Sequence, residues 1–88
     1  MPEKQVRLAF RDMFLTDCFE LSEDTAFALN AGSLDSLRDR CRTLRDLSRI
    51  LAGATQYNGV HFNPLARQFG ISVEAMAIRL EELDLARI

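Results

Sequence analysis

Eighty-eight residues with two cysteines, one histidine, 48% hydrophobic and 27% charged content fit one compact soluble domain and exclude a second. The net charge is −2, and only residues 34–52 are basic, with Arg38, Arg40, Arg42, Arg45 and Arg49 against Asp35, Asp39 and Asp46. A phosphate-neutralising protein carries a basic excess on its binding element, so the overall balance argues against a nucleic-acid track outside that middle segment.

Cys18 and Cys41 stand far apart with no CxxC or Cys/His cluster, so the chain offers no zinc ligand set, and neither a metal nor another cofactor is expected. There is no basic segment followed by an apolar run and a small-residue cleavage site, and no uncharged stretch of about 18 residues. The expectation is a cytoplasmic protein with free thiols and no membrane association.

Pro2 suits a first helical turn and Glu3 to Arg7 is a favourable i, i+4 pair, which predicts a helix running to about Glu20. Val6, Ala9, Phe10, Met13 and Phe14 form one stripe on it, with Leu8, Leu15 and Phe19 roughly opposite. A helix apolar on two sides fits the centre of a small bundle, or else an oligomer face. Ser22 before Glu23 and Asp24 reads as an N-cap, and Asn30-Ala31-Gly32 reads as that helix's end.

Ser33 is then positioned to cap a longer helix closing at Gly53, a rod of about 28 Å. Leu34, Leu37, Cys41, Leu44, Ser48 and Leu51 recur in steps of three and four, widened by Leu47 and Ile50. An amphipathic helix on a core explains this spacing better than a dimerising seam, since Cys and Ser interrupt it. The arginines read as a solvated face with intrahelical Asp partners.

Residues 53–63 break the helical period, and Asn58-Gly59 between Tyr57 and Val60 marks a short hairpin or an ordered loop. His61, the single histidine, has no Asp, Cys or second His nearby in sequence and reads as a surface or packing residue. Asn63 and Pro64 then open a short helix that Gly70 ends, and Ser72 caps another from Val73. A short helix, a Gly-Ile-Ser turn and a second amphipathic helix form a helix-turn-helix-like pattern. Ala66 sits at the expected crossing, and Met76, Leu80 and Leu83 form the inward face. Outward lie Glu74, Ala75, Ile78, Glu81 and Glu82, with Arg79 at the flank. A major-groove reader presents Arg, Lys, Asn or Gln there, so the acids disfavour DNA, and Ile78 is better explained as a protein-docking contact.

The stretch Leu65 to Leu85, LARQFGISVEAMAIRLEELDL, resembles the C-terminal signature of ImmA/IrrE-type proteins. Those carry a hydrophobic-Ala pair, Phe-Gly-Val/Ile-Ser, a small residue with Met or Leu, Arg-Leu and a closing Leu-Gly-Leu. Met1-Pro2-Glu3 with Val6 is similar to the Leu-Met-Pro segment that follows the family's catalytic helix. The resemblance covers residues 1–6 and 62–88. It implies kinship with zinc metallopeptidases that act on helix-turn-helix repressors through an upstream His-Glu-x-x-His motif. These 88 residues contain no such motif, so no zinc ligand or general base carries over, and Asp84 stands where the family has its closing glycine. The resemblance implies either the C-terminal portion of a longer peptidase or a free-standing relative without the catalytic half. The Gly-Ile-Ser turn, Met76, Arg79-Leu80 and the terminal Leu-x-Leu are also similar to the C-terminal helix-turn-helix of Fis-type DNA-binding proteins.

The expectation is therefore an all-α bundle of four or five helices over residues 1–88. It comprises N-terminal helices (1–53), a loop (54–63) and a helix-turn-helix-like pair (64–88). Its expected role is non-catalytic. The partner is a protein, the peptidase half or a second copy of the chain, engaged through Glu74, Ala75, Ile78, Arg79 and Glu82. The alternative is a DNA-binding regulator using Ser72 and Arg79 with Arg38, Arg42, Arg45 and Arg49.

Overall fold

In the computed structural model, which describes residues 2–88, the first helix (α1, Glu3–Phe14) stops earlier than its apolar spacing predicts. Leu15 takes a left-handed conformation, φ 58°, and its N–H closes on the Arg11 carbonyl at 2.9 Å. The Thr16 hydroxyl then donates to the Cys18 carbonyl and accepts from the Cys18 N–H, holding the turn. The reason for leaving the helix lies in Phe19. Five positions on at 100° each, its side chain would face away from that of Phe14 on a continued helix. As part of a short strand (β1, Phe19–Glu20) it is instead fully buried, with its ring edge-on to Phe14 at 5.7 Å between centroids. Leu8 and Leu15 remain exposed, so the second apolar side of α1 is not covered.

Ser22 caps the next helix (α2, Glu23–Ala28) through a reciprocal box with Thr25. Asn30 and Gly32, both at positive φ, turn the chain out of it. The single long helix expected from Leu34 to Gly53 is two helices, α3 (Leu34–Arg40) and α4 (Leu44–Gly53). Thr43 breaks the run: its hydroxyl accepts the Asp46 N–H at 3.2 Å and caps α4. The bend lets Leu37 and Cys41 bury in the same core as Leu47 and Leu51, which one straight rod would carry apart.

The 54–63 segment is a hairpin, β2 (Gln56–Tyr57) antiparallel to β3 (Val60–His61), with Tyr57 opposite Val60. Asn58 and Gly59 both take positive φ, as the tight two-residue hairpin turn requires. A four-residue helix, α5 (Leu65–Gln68), follows from Pro64. The Asn63 side chain does not cap it; the Asn63 carbonyl instead accepts the Gln68 side-chain amide at 2.7 Å. Gly70, at φ 67°, turns the chain into α6 (Val73–Glu82), whose N-cap Ser72 accepts the Ala75 N–H at 3.1 Å.

Asp84 reverses the chain after α6 with φ 56°, and the Leu85 N–H returns to the Leu80 carbonyl at 3.0 Å. The closing turn thus forms with aspartate in place of glycine. The last strand, β4 (Ala86–Arg87), pairs in parallel with β1, Phe19 against Ala86 and Glu20 against Arg87. The fold is therefore mostly helical rather than all-α, with six helices and two two-stranded ladders among the described residues.

Phe14 organises one end of the core, with the rings of Phe10, Phe19, Tyr57 and Phe62 around it at 4.8 to 6.3 Å. Leu37, Leu47, Leu51, Leu65, Met76, Leu80 and Leu85 complete it. Arg7 on α1 reaches the end of α6 and donates to the Leu83 carbonyl at 3.0 Å, satisfying an acceptor that the helix end leaves open.

Candidate protein-interaction face

The most extensive helix–helix contact in the fold is between α4 and α6. Its centre is made of small residues, Ser48 and Ala52 on α4 and Ala77 on α6, all fully buried. Positions 45, 48, 49 and 52 lie on one side of α4, and 74, 77 and 81 on one side of α6. Small side chains in the middle let the two backbones approach, and the long charged residues at 45, 49, 74 and 81 then meet along the edge.

Arg49 Nε lies 2.6 Å from Glu74 Oε2, and its Nη2 lies 3.1 Å from Oε1. Arg45 reaches the same carboxylate, Nη1 to Oε1 at 2.9 Å, and also donates through Nε to Glu81. Asp46 adds an i, i+3 pair with Arg49 at 3.6 Å. Arg49 and then Arg45, by hydrogen bonding, hold the Glu74 carboxyl below its ordinary value. Glu81 and Glu74 in turn raise the Arg45 guanidinium.

Glu74 is exposed, as expected of the outer side of α6, while Glu81 is half-buried, and both are engaged by this cluster. On a helical wheel both sit toward the flank, where α4 arrives, and their charge is matched within the fold. Arg45 and Arg49, expected on a solvated arginine face, are likewise committed to α6, while the Arg49–Asp46 pair agrees with that reading. Arg38 and Arg42 are exposed, on α3 and in the α3–α4 turn, away from this cluster in the chain. The Ser72 hydroxyl is engaged in capping.

What α6 leaves outward is Ala75, Ile78 and Glu82, with Val73 at its start. Ile78 is 40% exposed and Val73 42%. Arg79 is half-buried at the flank, 4.0 Å from Glu82. A groove of about 570 Å³ continues this surface, lined by Gly53, Pro64, Arg67, Ile71 and Val73. The Arg45/Arg49–Glu74/Glu81 cluster was missed by reading each helix alone. Its trace is the matching pattern of small residues and opposite charges on two separate segments.

No group of three or more His, Cys, Asp or Glu among the described residues is arranged to hold a metal ion. His61 lies exposed on β3, Cys18 is half-buried and Cys41 is buried, so the residues present do not supply the ligand set that a peptidase zinc requires. No helix of the described residues is long and apolar enough to cross a membrane. Neither a protein-family model nor a curated protein nor a solved structure matches the chain significantly.

Proposed function

We propose that this chain is a non-catalytic interaction domain, the accessory region of an ImmA/IrrE-type metallopeptidase, which engages a protein such as a helix-turn-helix repressor. In this reading α5 and α6 form a helix-turn-helix-like unit whose role is to hold a docking face rather than to enter DNA. The contact residues are Ala75, Ile78, Arg79 and Glu82, with Val73 added. The supporting observation is the internal pairing of Glu74 and Glu81 with Arg45 and Arg49. It leaves the outer side of α6 nearly neutral and partly apolar, a surface suited to protein and poor in phosphate-directed charge.

The second reading is a DNA-binding regulator using Ser72 and Arg79 with Arg38, Arg42, Arg45 and Arg49; of these arginines, Arg45 and Arg49 are engaged with α6, while Arg38 and Arg42 are exposed outside that cluster. Titration of a labelled duplex at low and moderate salt separates the two. The protein-partner reading expects weak binding that is indifferent to sequence. Tight binding that falls steeply with salt and is lost in Arg79→Ala overturns it. A repressor pull-down with Ile78→Glu provides the positive arm: capture by the native chain and loss in the variant.

A further inference from the structure

Where the end of α2, the hairpin and the end of α4 come together, three surface depressions adjoin one another. The first, about 430 Å³, lies between Phe27 and the hairpin turn. The second, about 260 Å³, lies among Leu29, Ile50 and Ala54. The third is the groove of about 570 Å³ beside Val73. Gln56 bounds both the first and the second, and Gly53 bounds both the second and the third. Together they make one open channel from the end of α2 to the α5–α6 turn.

The lining of this channel departs from the composition of the chain. The protein carries 13 acidic and 11 basic residues, yet no Asp, Glu or Lys lines any of the three depressions. Apart from His61 in the first, the one ionisable side chain among the lining residues is Arg67 in the third, and it joins none of the ion pairs of the described residues. Apolar side chains stand open at both ends, Phe27 at one, 78% exposed, and Val73 at the other. Depletion of charge with aromatic and aliphatic groups retained is the composition of the central part of a protein interface.

Gly53 is an independent sign. It ends α4, although glycine is a poor helix former. Its backbone is not among those at positive φ, and a Cβ built on it would stand 3.7 Å from the Val73 side chain, an ordinary van der Waals contact. Neither the backbone nor the packing therefore requires glycine here. What the missing side chain leaves open is the junction between the second and third depressions.

A small ligand fills one depression, whereas three in series suit an extended polypeptide, which rises about 3.3 Å per residue. The middle dimension of the molecule, 26 Å, admits about eight such residues. Gln56, at the first junction, has a side-chain amide that both donates and accepts, as the backbone of an extended segment requires. Arg67 offers a planar fork to a carboxylate at the far end.

We propose that this channel binds an extended, largely apolar segment of a partner polypeptide, with an Asp or Glu at the end that lies by Arg67. Phe27 packs against the other end. The channel meets the outer side of α6 at Val73 and does not include Ile78, so the assignment stands whether or not a repressor docks there.

A display library of random octapeptides selected on the full chain tests it, the consensus peptide then being synthesised with both ends capped and titrated by fluorescence anisotropy and amide chemical shifts. The expected consensus has apolar residues with an Asp or Glu near one end, and saturable shifts appear at Phe27, Asn30, Gly53, Gln56, Arg67 and Ile71. Gly53→Gln fills the junction and lowers affinity at least about tenfold, with a melting temperature equal to the native chain's or higher. Arg67→Glu lowers affinity about tenfold, and selection repeated on that variant exchanges the acid for Lys or Arg. Ile78→Glu, outside the channel, leaves peptide binding unchanged. No enrichment, a consensus without an acid, shifts mapping elsewhere or full affinity in Gly53→Gln would each overturn the assignment. Self-association of the peptide-free chain that Gly53→Gln abolishes would seat a second copy in the channel and overturn it equally. If Gly53→Gln unravels α4, the exchange of charge preference at the exposed Arg67 decides by itself.

Discussion

Arg49 on α4 and Glu74 on α6 are joined by two hydrogen bonds, Nε to Oε2 at 2.6 Å and Nη2 to Oε1 at 3.1 Å. Paired this way the carboxyl titrates below its ordinary value of 4.5, so its contribution to stability is present above that pH and lost as pH falls through the depressed value. Thermal melts across the acid range are expected to show the native chain losing stability as pH falls below 4.5. Glu74→Gln should be less stable at neutral pH and show a shallower acid loss. An acid limb unchanged in the variant would remove Glu74 from the account. Because these groups are partly exposed, added salt should narrow the difference.

Ser48 carries a fully buried hydroxyl that bonds to no other described group, in the middle of the α4–α6 contact. Ser48→Ala removes that polar atom and nearly preserves volume. It is expected to stabilise the fold by about 1 kcal/mol, helped by alanine's better helix propensity. Ser48→Leu overfills the same crossing and is expected to cost about 1–3 kcal/mol. Denaturant midpoints for the pair check the sign in both directions.

Phe14 stands at the centre of four other aromatic rings and is 1% exposed. Phe14→Ala should cost about 3–5 kcal/mol, a large part of the stability of a domain this size. Phe14→Leu should cost much less. A second signature is loss of the Tyr57 environment, visible in its emission.

Leu15 is an exposed apolar residue in a left-handed conformation, φ 58°. Leu15→Gly relieves about 1–2 kcal/mol of backbone strain and costs about 0.5–1 kcal/mol in chain entropy. A net gain of about 0.5 kcal/mol is expected from those two terms in equilibrium unfolding.

The two thiols should differ in reactivity. Cys41 is buried, and desolvation, then the charge of Asp46, pushes its thiol pKa up, with Arg40 opposing. Cys18 is half-buried in the turn between α1 and β1. Alkylation of the native protein should modify Cys18 at least about tenfold faster than Cys41, the difference vanishing in denaturant.

Much of the helical framework is legible from local chemistry. Ser22, Ser33 and Ser72 mark helix starts, Gly70 marks a stop, and the Asn58-Gly59 pair marks the hairpin. The errors come from reading periodicity past a local breaker. Leu34 to Leu51 keeps an unbroken apolar spacing, yet Thr43 three residues before Asp46 offers a cap that outweighs continuation once Leu37 and Leu47 both seek the same core. Phe19 fits a helical wheel, but tertiary packing against Phe14 draws it into a strand whose partner lies at the far end of the chain. The outer α6 residues Ala75, Ile78 and Glu82 follow directly from the buried face of Met76, Leu80 and Leu83. The commitment of Glu74 to Arg49 does not, because ion pairs between distant segments leave no periodic trace.

The pairing of Phe19 with Ala86 has a consequence for synthesis. A chain emerging from the ribosome completes α1 to α6 before the strand that pairs with Phe19 has been made. Closing so wide a loop carries the largest entropic cost of any ladder in the fold. The Phe19–Ala86 pairing is therefore expected to be among the last contacts of the domain to form, after the local helices.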